Sequence, residues 1–365
     1  MPEAAPPPAP PFCPNPGCAC HAGPNGWRYV RAGFHARQQP PHRVQRYRCC
    51  LCRRHFSDQT FRTSYWLKRA DLLAPVFCGL VAGSGFRQLA RSFEVAPHTI
   101  ASHSARLGRH CLLFHQHHRP RGPLAEPLVL DGFQSFEHSQ YSPTLFHTLA
   151  GKDSHFVHGF TDSELRRSGR MSARQKRRRA RLEARFGRPD PRSTEREVTA
   201  LLGLVLPEPQ SLQLHTDEHA DYPRALKRLP HLAVTHRTIS SRAARTSRNP
   251  LFAINLLDLL IRHSGANHKR ETIAFSKRRQ SAAERLWQLL VWRNWLKWFS
   301  ERQRSGTPAM RAGVATRRLR VRELLAERLF VTRVGLPARW AAYYWRAITT
   351  RRIARCAGHR LRYAT

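Results

Sequence analysis

Acidic residues are scarce in this chain of 365 residues, which has 24 aspartates and glutamates against 63 lysines and arginines. The sequence also lacks any run of about 18 apolar residues, and this absence excludes a membrane-spanning helix. Its first residues, Met-Pro-Glu followed by a proline- and alanine-rich stretch, lack the charged and apolar regions of a secretory signal. We therefore expect a cytosolic protein with no membrane partner.

The chain nevertheless has what a packed protein needs. Hydrophobic residues make up 41% of it, with eight tryptophans and 18 phenylalanines, so it is not a disordered basic tail. Its length predicts two or three compact units. The formal net charge of +39 points to a polyanionic partner, and nucleic acid is the best match because many phosphates can be neutralised with release of counterions.

The nine cysteines are clustered, since six of them lie within the first 52 residues. In a reducing compartment such clustering suggests metal binding before disulfides. Two pairs have the spacing of a structural zinc site, in which four thiolates complete a closed tetrahedral shell: Cys13, Cys18, Cys49 and Cys52. Candidate substitutes in the shell are Cys20, Cys50 and His21, and the alternative interpretation is a set of free cysteines.

Composition shifts divide the chain into segments. The predicted order is a disordered tail (1–11), a zinc ribbon (12–66), a helical DNA-binding module (67–118), a linker (119–123), an α/β unit (124–314) with an arginine-rich insertion (164–192), and a basic helical tail (315–365). Short β-prone runs predict strands at 128–130, 145–149, 155–160, 211–215 and 232–238. Longer patterns predict helices from 164 to about 187, at 251–263 and at 281–301.

Residues 86–103 have the pattern of a helix-turn-helix. Leu89 and Ala90 are expected to face inward on the first helix, and Pro97 suits the first turn of the second, where its missing N–H is not needed. The residues expected to contact DNA are Arg87, His98, Thr99, Ser102, His103 and Arg106. The alternative is an ordinary pair of packed helices.

Two aspartates directly follow apolar runs in a chain where acids are rare. Asp131 follows the run at 128–130, and Asp217 follows the strand predicted at 211–215. Carboxylates at the ends of adjacent strands can hold divalent cations for phosphodiester chemistry. The alternative is that both are turn or helix-cap residues.

A third acid, Asp258, sits among large apolar residues in the helix predicted at 251–263, on the same face as Asn255. A buried carboxylate needs a cation, a hydrogen-bond network or a metal, and a buried salt bridge is the alternative to a metal ligand. The order of two strand-end aspartates and a helix acid fits a ribonuclease H-like active site that binds two metal ions.

Taken together, these motifs resemble a DDE transposase of bacterial insertion sequences, of the group with an N-terminal zinc ribbon and helix-turn-helix. Besides the helix-turn-helix, the segments that carry the resemblance are QRYRCCLCRRHF (45–56), LDGFQSFEHSQY (130–141), FTDSELRRSGRM (160–171), TDEHADYP (216–223), KRETIAFSK (269–277), and 292–310. They cover residues 13 to about 314.

The resemblance implies an α/β fold with a ribonuclease H-like catalytic domain, in which Asp131 and Asp217 are the first two catalytic acids. The family's glutamate would fall near Asn255, which is not acidic, so Asp258 is the expected third acid and Glu271 the runner-up. It implies Mg²⁺ or Mn²⁺ as the catalytic cofactor, structural Zn²⁺, and a homo-oligomer at the nucleoid. The expected DNA partners are terminal inverted repeats and target DNA. The departure at the third acid leaves two hypotheses, a DDD enzyme that cuts DNA or a degenerate transposase that only binds it.

Arginine-rich segments are expected to lie along DNA phosphates, although such runs are also typical of a solvated surface or a flexible insertion. The candidate contacts outside the helix-turn-helix are Lys176, Arg177, Arg178, Lys269, Arg270 and Lys277. The other acids near the motifs are expected to have supporting or structural roles: Glu137, Glu218 and Asp221.

Overall fold

The computed structural model describes residues 9–353 except residues 24 and 39. Most of the tail predicted to be disordered (1–11) and the end of the predicted basic helical tail, including Cys356, lie outside the described residues.

The cysteine-rich region forms a small antiparallel sheet after a short helix. The helix is α1 (Ala19–Ala22), and the strands, in spatial order, are β1 (Tyr29–Ala36), β2 (Arg43–Cys49) and β3 (His55–Ser57). Tyr47 and Phe56 lie opposite each other on β2 and β3 and stack with ring centroids 5.5 Å apart. Aromatic packing and the cysteines thus form the interior of this region.

Three helices follow the small sheet: α2 (Leu73–Val81), α3 (Phe86–Ser92) and α4 (Pro97–His118). The pair of helices predicted for the helix-turn-helix is confirmed. The side chain of Gln88 accepts a hydrogen bond from the Gly85 N–H at the start of α3, and Pro97 occupies the first turn of α4. Leu89 and Ala90 are buried, as expected.

The main sheet is mixed and five-stranded. Its strands are β4 (Leu128–Phe136), β5 (Pro143–Gly151), β6 (Val157–Glu164), β7 (Gln210–Thr216) and β8 (Leu232–Thr238), in the spatial order β6-β5-β4-β7-β8. The first three are antiparallel, whereas β7 runs parallel to β4 and β8 parallel to β7. Each predicted strand is present. The three antiparallel strands extend beyond the apolar runs because their polar residues also pair within the sheet.

Further helices lie between and after these strands in the chain. They are α5 (Ala173–Phe186), α6 (Ser193–Val205), α7 (Asp221–Leu226), α8 (Phe252–Ser264), α9 (Arg279–Val291), α10 (Pro308–Arg311), α11 (Val321–Ala326), α12 (Val331–Val334) and α13 (Ala338–Tyr344).

Two predicted helix boundaries were wrong. The arginine-rich helix starts at Ala173 rather than at 164, because β6 continues to Glu164 and Ser172 caps α5 by accepting from the Gln175 N–H. The helix predicted at 281–301 ends as α9 at Val291 and is followed by one wide turn, Trp292–Leu296.

One hydrophobic cluster unites α2–α4 with β4–β6, α8 and α9, so the core crosses the boundary predicted at residue 118. A second cluster lies between α6 and the β4 and β7 strands. Helix α4 meets α9 at Gly108, where a Cβ atom would lie 2.5 Å from the backbone oxygen of Glu284. None of the helices in the described residues combines the length and apolar character that a membrane crossing requires.

The C-terminal segment (residues 321–350) contacts the cysteine-rich region, α4 and the main sheet. His21 of the cysteine-rich region is 2.8 Å from the Thr332 hydroxyl, and the Trp340 indole donates to the Phe160 carbonyl of β6 at 3.0 Å. Arg339 forms an ion pair with the fully buried Asp162 side chain at 2.8 Å. This segment therefore ties the small sheet to the main sheet.

Candidate active site

Asp131 and Asp217 lie where two adjacent parallel strands separate. β4 pairs with β7 at Leu128 with Leu214 and at Val129 with His215, and the pairing then stops. Continuing the same register places Asp131 level with Asp217, the first residue after β7. Both aspartates therefore lie two residues beyond the last paired residues of β4 and β7.

The expectation that a strand ends at Asp131 was wrong. β4 continues to Phe136, and Asp131 is paired with Thr148 on the antiparallel neighbour β5. The strand continues because β5 supplies hydrogen-bond partners after β7 has departed. Asp131 is therefore held within a strand, with its Oδ1 accepting from the Gly132 N–H at 2.7 Å.

Asp258 reaches the same site from α8, which packs against β4 and β5. Burial and the negative charge of Asp131 raise the pKa of Asp258 to about 8, against the opposing charges of Arg262 and Arg245. Burial also raises the pKa of Asp131 to about 6, with the Gly132 N–H acting in the opposite direction and the charge of Asp217 adding to the rise.

The buried phenol of Tyr222 is influenced by all three acids. Burial raises its pKa, and the charges of Asp131, Asp217 and Asp258 raise it further. All three acids therefore lie near Tyr222, although they are far apart in the sequence.

One carboxylate oxygen among these acids lacks a hydrogen-bond partner, and a bound cation could compensate it. Asp217 accepts from the His219 N–H at 3.0 Å, whereas Asp258 Oδ1 is buried without a hydrogen-bond partner. An orphaned buried carboxylate oxygen is costly unless a positive group compensates it. Carboxylate oxygens are the ligands that Mg²⁺ and Mn²⁺ prefer, so the donor set fits such an ion.

The spacing of the acids is wider than that of a single compact metal shell. Among the described residues, no arrangement brings one oxygen of each of the three within 4.8 Å of the other two. A site for two ions about 3.5–4 Å apart is wider than a site for one ion, because each ion is held by a different subset of the carboxylates.

Two arginines beside the acids were not identified from the sequence. Arg262 lies one helical turn after Asp258, a spacing that could have revealed it, and donates to the carbonyls of Gln134 and His268. Arg245 comes from the loop between β8 and α8, and its charge lowers the pKa of both Asp131 and Asp258. No local pattern marks Arg245, because only the fold carries that loop to the acids.

The other candidate acids lie in different surroundings. Glu271 is exposed in the turns between α8 and α9. Glu137 is buried and accepts from the Thr350 hydroxyl at 2.7 Å, and Glu218 accepts from the Ser241 N–H at 3.2 Å. Asp221 pairs with Arg224 at 3.1 Å.

The four cysteines selected from the sequence do converge. Their sulfur atoms lie within 4.8 Å of one another, with Cys13 3.6 Å from Cys52 and Cys18 4.0 Å from Cys49. Tetrahedral Zn–S bonds of about 2.3 Å would separate the sulfurs by about 3.8 Å, so the cluster could hold one zinc ion.

The three residues considered as alternative zinc ligands lie outside this group of four sulfur atoms. His21 is buried and bonded to the Cys13 carbonyl and the Thr332 hydroxyl, while Cys50 is exposed and Cys20 half-buried.

The surface of α3 and α4 differs from the expectation at two residues. Arg87, His98 and Ser102 are exposed and Thr99 is half-buried, so these four can reach a partner.

His103 and Arg106 were wrongly expected to face a DNA groove. His103 is buried, with ring nitrogens bonded to the Thr99 and Arg69 carbonyls, and Arg106 donates inward to the Thr63 carbonyl at 2.9 Å. Both face inward because α4 packs on residues 63–69, which the helix-turn-helix pattern does not include.

The remaining basic candidates are on the surface. α5 has no buried residue, and the exposed cations expected to contact DNA are Lys176, Arg177, Arg178, Lys269, Arg270 and Lys277. Arg178 lies over the Tyr141 ring, 5.4 Å from its centroid, which links α5 to the segment after β4.

No family model and no curated protein matches this chain. Among solved structures, it is similar to a chain of the simian T-cell lymphotropic virus intasome in complex with the PP2A regulatory subunit B56 gamma. The identity is 15%, the match covers 68% of this chain and 74% of that chain, and the TM-score is 0.25. A TM-score of this size does not establish a common fold.

Proposed function

We propose that this chain is a DNA transposase with a ribonuclease H-like catalytic domain, which cuts the ends of a DNA element and joins them to target DNA. The observation that carries the proposal is geometric: Asp131 lies level with Asp217, the first residue after β7, and Asp258 comes from α8, which packs against β4. The sequence led us to expect two aspartates on neighbouring strands and one acid on a following helix, and Asp131 lies within β4 rather than at its end.

The three aspartates would hold Mg²⁺ or Mn²⁺. When bound, these ions would activate the attacking hydroxyl and stabilise the departing 3′ oxygen. Asp131 and Asp258 have raised pKa values, so binding a cation favours their ionised forms and relieves the cost of their burial. Arg245 and Arg262, whose charges act on Asp258, would interact with the negatively charged scissile phosphate.

DNA would be positioned by the basic surfaces around the site. The exposed residues of α3 and α4 would read the terminal repeats, and the exposed cations of α5 would contact phosphates without sequence preference. The four-cysteine site would hold zinc and keep the small sheet folded. Because the two ends of an element must be brought together, a homo-oligomer is expected.

The test is Mg²⁺-dependent cleavage of a duplex that carries the end of the element encoding this chain. Asp131→Asn, Asp217→Asn and Asp258→Asn should each abolish cleavage while retaining DNA binding. Asp190→Asn is the matched control, because Asp190 is exposed and paired with Arg196 away from the site. Glu271→Gln distinguishes the two candidates for the third catalytic acid. Cleavage by Glu271→Gln together with no cleavage by Asp258→Asn would support Asp258.

A DNA-binding protein that does not cut is the second candidate. The observation that favours it is that, among the described residues, the three carboxylates do not form a single group that one ion could occupy as they stand. In that case the wild-type chain binds the element end but leaves it intact at every Mg²⁺ and Mn²⁺ concentration. Unchanged cleavage in all three aspartate variants would refute the assignment of the site.

A further inference from the structure

A second group of metal-binding side chains lies far from the aspartates, where the C-terminal segment crosses the end of α4. His117 and His118 are in the last turn of α4, and Glu327 follows α11. One ligand atom from each lies within 4.8 Å of the other two. The group is accessible from solvent, since His117 is exposed and the other two side chains are one-third to two-fifths exposed.

The distances suit one transition-metal ion. His118 Nε2 is 3.0 Å from Glu327 Oε2, and the two histidine rings have centroids 4.7 Å apart. Tetrahedral zinc with bonds of about 2.0–2.1 Å to nitrogen and oxygen separates its ligand atoms by about 3.3 Å. The His118–Glu327 pair therefore needs little movement to accept an ion between its two atoms.

Neighbouring contacts hold the two sides of this group in place. His110, two turns before His117 on α4, donates to the Leu324 carbonyl at 2.7 Å, and Leu324 is fully buried. The Phe114 ring packs on His118 with centroids 4.3 Å apart. The carboxylate of Glu327 is thus brought to the histidines by a segment that is already anchored along α4.

We propose that His117, His118 and Glu327 form a second zinc site, which fastens the C-terminal segment to the end of α4. Two imidazoles and one carboxylate favour zinc or a similar transition ion over Mg²⁺, which prefers oxygen ligands alone. The fourth position is left for water. The C-terminal end of a 22-residue helix, where unpaired carbonyls carry partial negative charge, also favours a cation.

The experiment measures the zinc content of the full chain after equilibration with zinc chloride and removal of unbound metal. The wild type should retain one more zinc ion per chain than His117→Ala or Glu327→Gln. This difference does not depend on how much zinc the cysteines or the aspartates hold. Zinc should also raise the melting temperature of the wild type above that of each variant, because the ion cross-links two segments.

His263→Ala is the matched control, since His263 is an exposed histidine in the last turn of α8. It should hold as much zinc as the wild type. Glu327→Gln preserves the shape of the side chain and a hydrogen-bond acceptor for His118, so its melting temperature without added zinc reports that the fold is intact. Equal zinc content in the wild type and both site variants would overturn the proposal.

Discussion

Replacing Asp258 with asparagine should stabilise the metal-free protein and change how its stability depends on pH. Asp258 has a pKa of about 8, raised first by burial and then by the charge of Asp131. A group whose pKa is higher in the folded state binds more protons when folded, so folding loses stability as pH rises from the unfolded pKa to the folded one. Asparagine does not titrate and removes this loss.

The magnitude follows from the size of the shift. Between about pH 5 and pH 7, Asp258 is charged in the unfolded chain and protonated in the folded one, so wild-type stability falls by about 1.4 kcal/mol per pH unit from this group alone. Relative to Asp258→Asn, the wild type should therefore lose about 2.5 kcal/mol across that interval. Asp131 titrates near pH 6 in both proteins and largely cancels from the comparison.

The assay is urea unfolding at several pH values, in buffer free of Mg²⁺ but without a chelator, so that any zinc at the cysteines is retained. Asp190→Asn is again the control, because hydrogen bonds from the Arg192 N–H and from Arg196 lower the pKa of this exposed acid. Its profile should parallel the wild type above pH 5. Adding Mg²⁺ should stabilise the wild type and not Asp258→Asn. A variant less stable than the wild type at pH 8 without Mg²⁺ would refute this account of Asp258.

Three further predictions concern packing, zinc and DNA. Gly108→Ala should destabilise the fold by up to about 2 kcal/mol in urea unfolding, because the clash with the α9 backbone costs about 1–3 kcal/mol and helix propensity returns only about 1 kcal/mol. Gly203→Ala on α6, where the nearest atom is 3.7 Å away, should instead be stabilising. Cys49→Ser should release zinc, measured by metal analysis, whereas Cys78→Ser at an exposed cysteine should not. Alanine at 176–178 on α5 should reduce the slope of log affinity against log salt for DNA by about 2–3, and an unchanged slope would exclude phosphate contacts there.

Local patterns were sufficient where burial follows directly from the residues on one element. The strand predicted at 232–238 matches β8 at both ends, and the helix at 251–263 differs from α8 by one residue at each end. The two helices α3 and α4 could also be predicted, because Pro97 and their apolar positions mark them locally. In contrast, α6 was not predicted, because its apolar residues are buried by packing against β7, a contact that the local pattern does not show.

The sequence did not predict the contacts that bring distant segments to the site. Asp131, Asp217 and Asp258 were identified by type and order, but their coupling depends on the register of β4 with β7 and on the packing of α8. His103 was wrongly expected to contact DNA, because the Arg69 carbonyl that hydrogen-bonds to its ring lies outside the motif. Arg245 was missed for the same reason.

The sequence by itself determined the charge of the protein, the spacing of its cysteine pairs and the identity of its few acids, because these are properties of composition and of neighbours along the chain. The tertiary structure decided the surroundings of those acids, how far the pKa values of Asp131 and Asp258 rise, and where Glu327 lies close to the histidines of α4. Burial and electrostatic coupling depend on distances in space, and a segment such as 321–350 sets these distances by packing against residues up to about three hundred positions away.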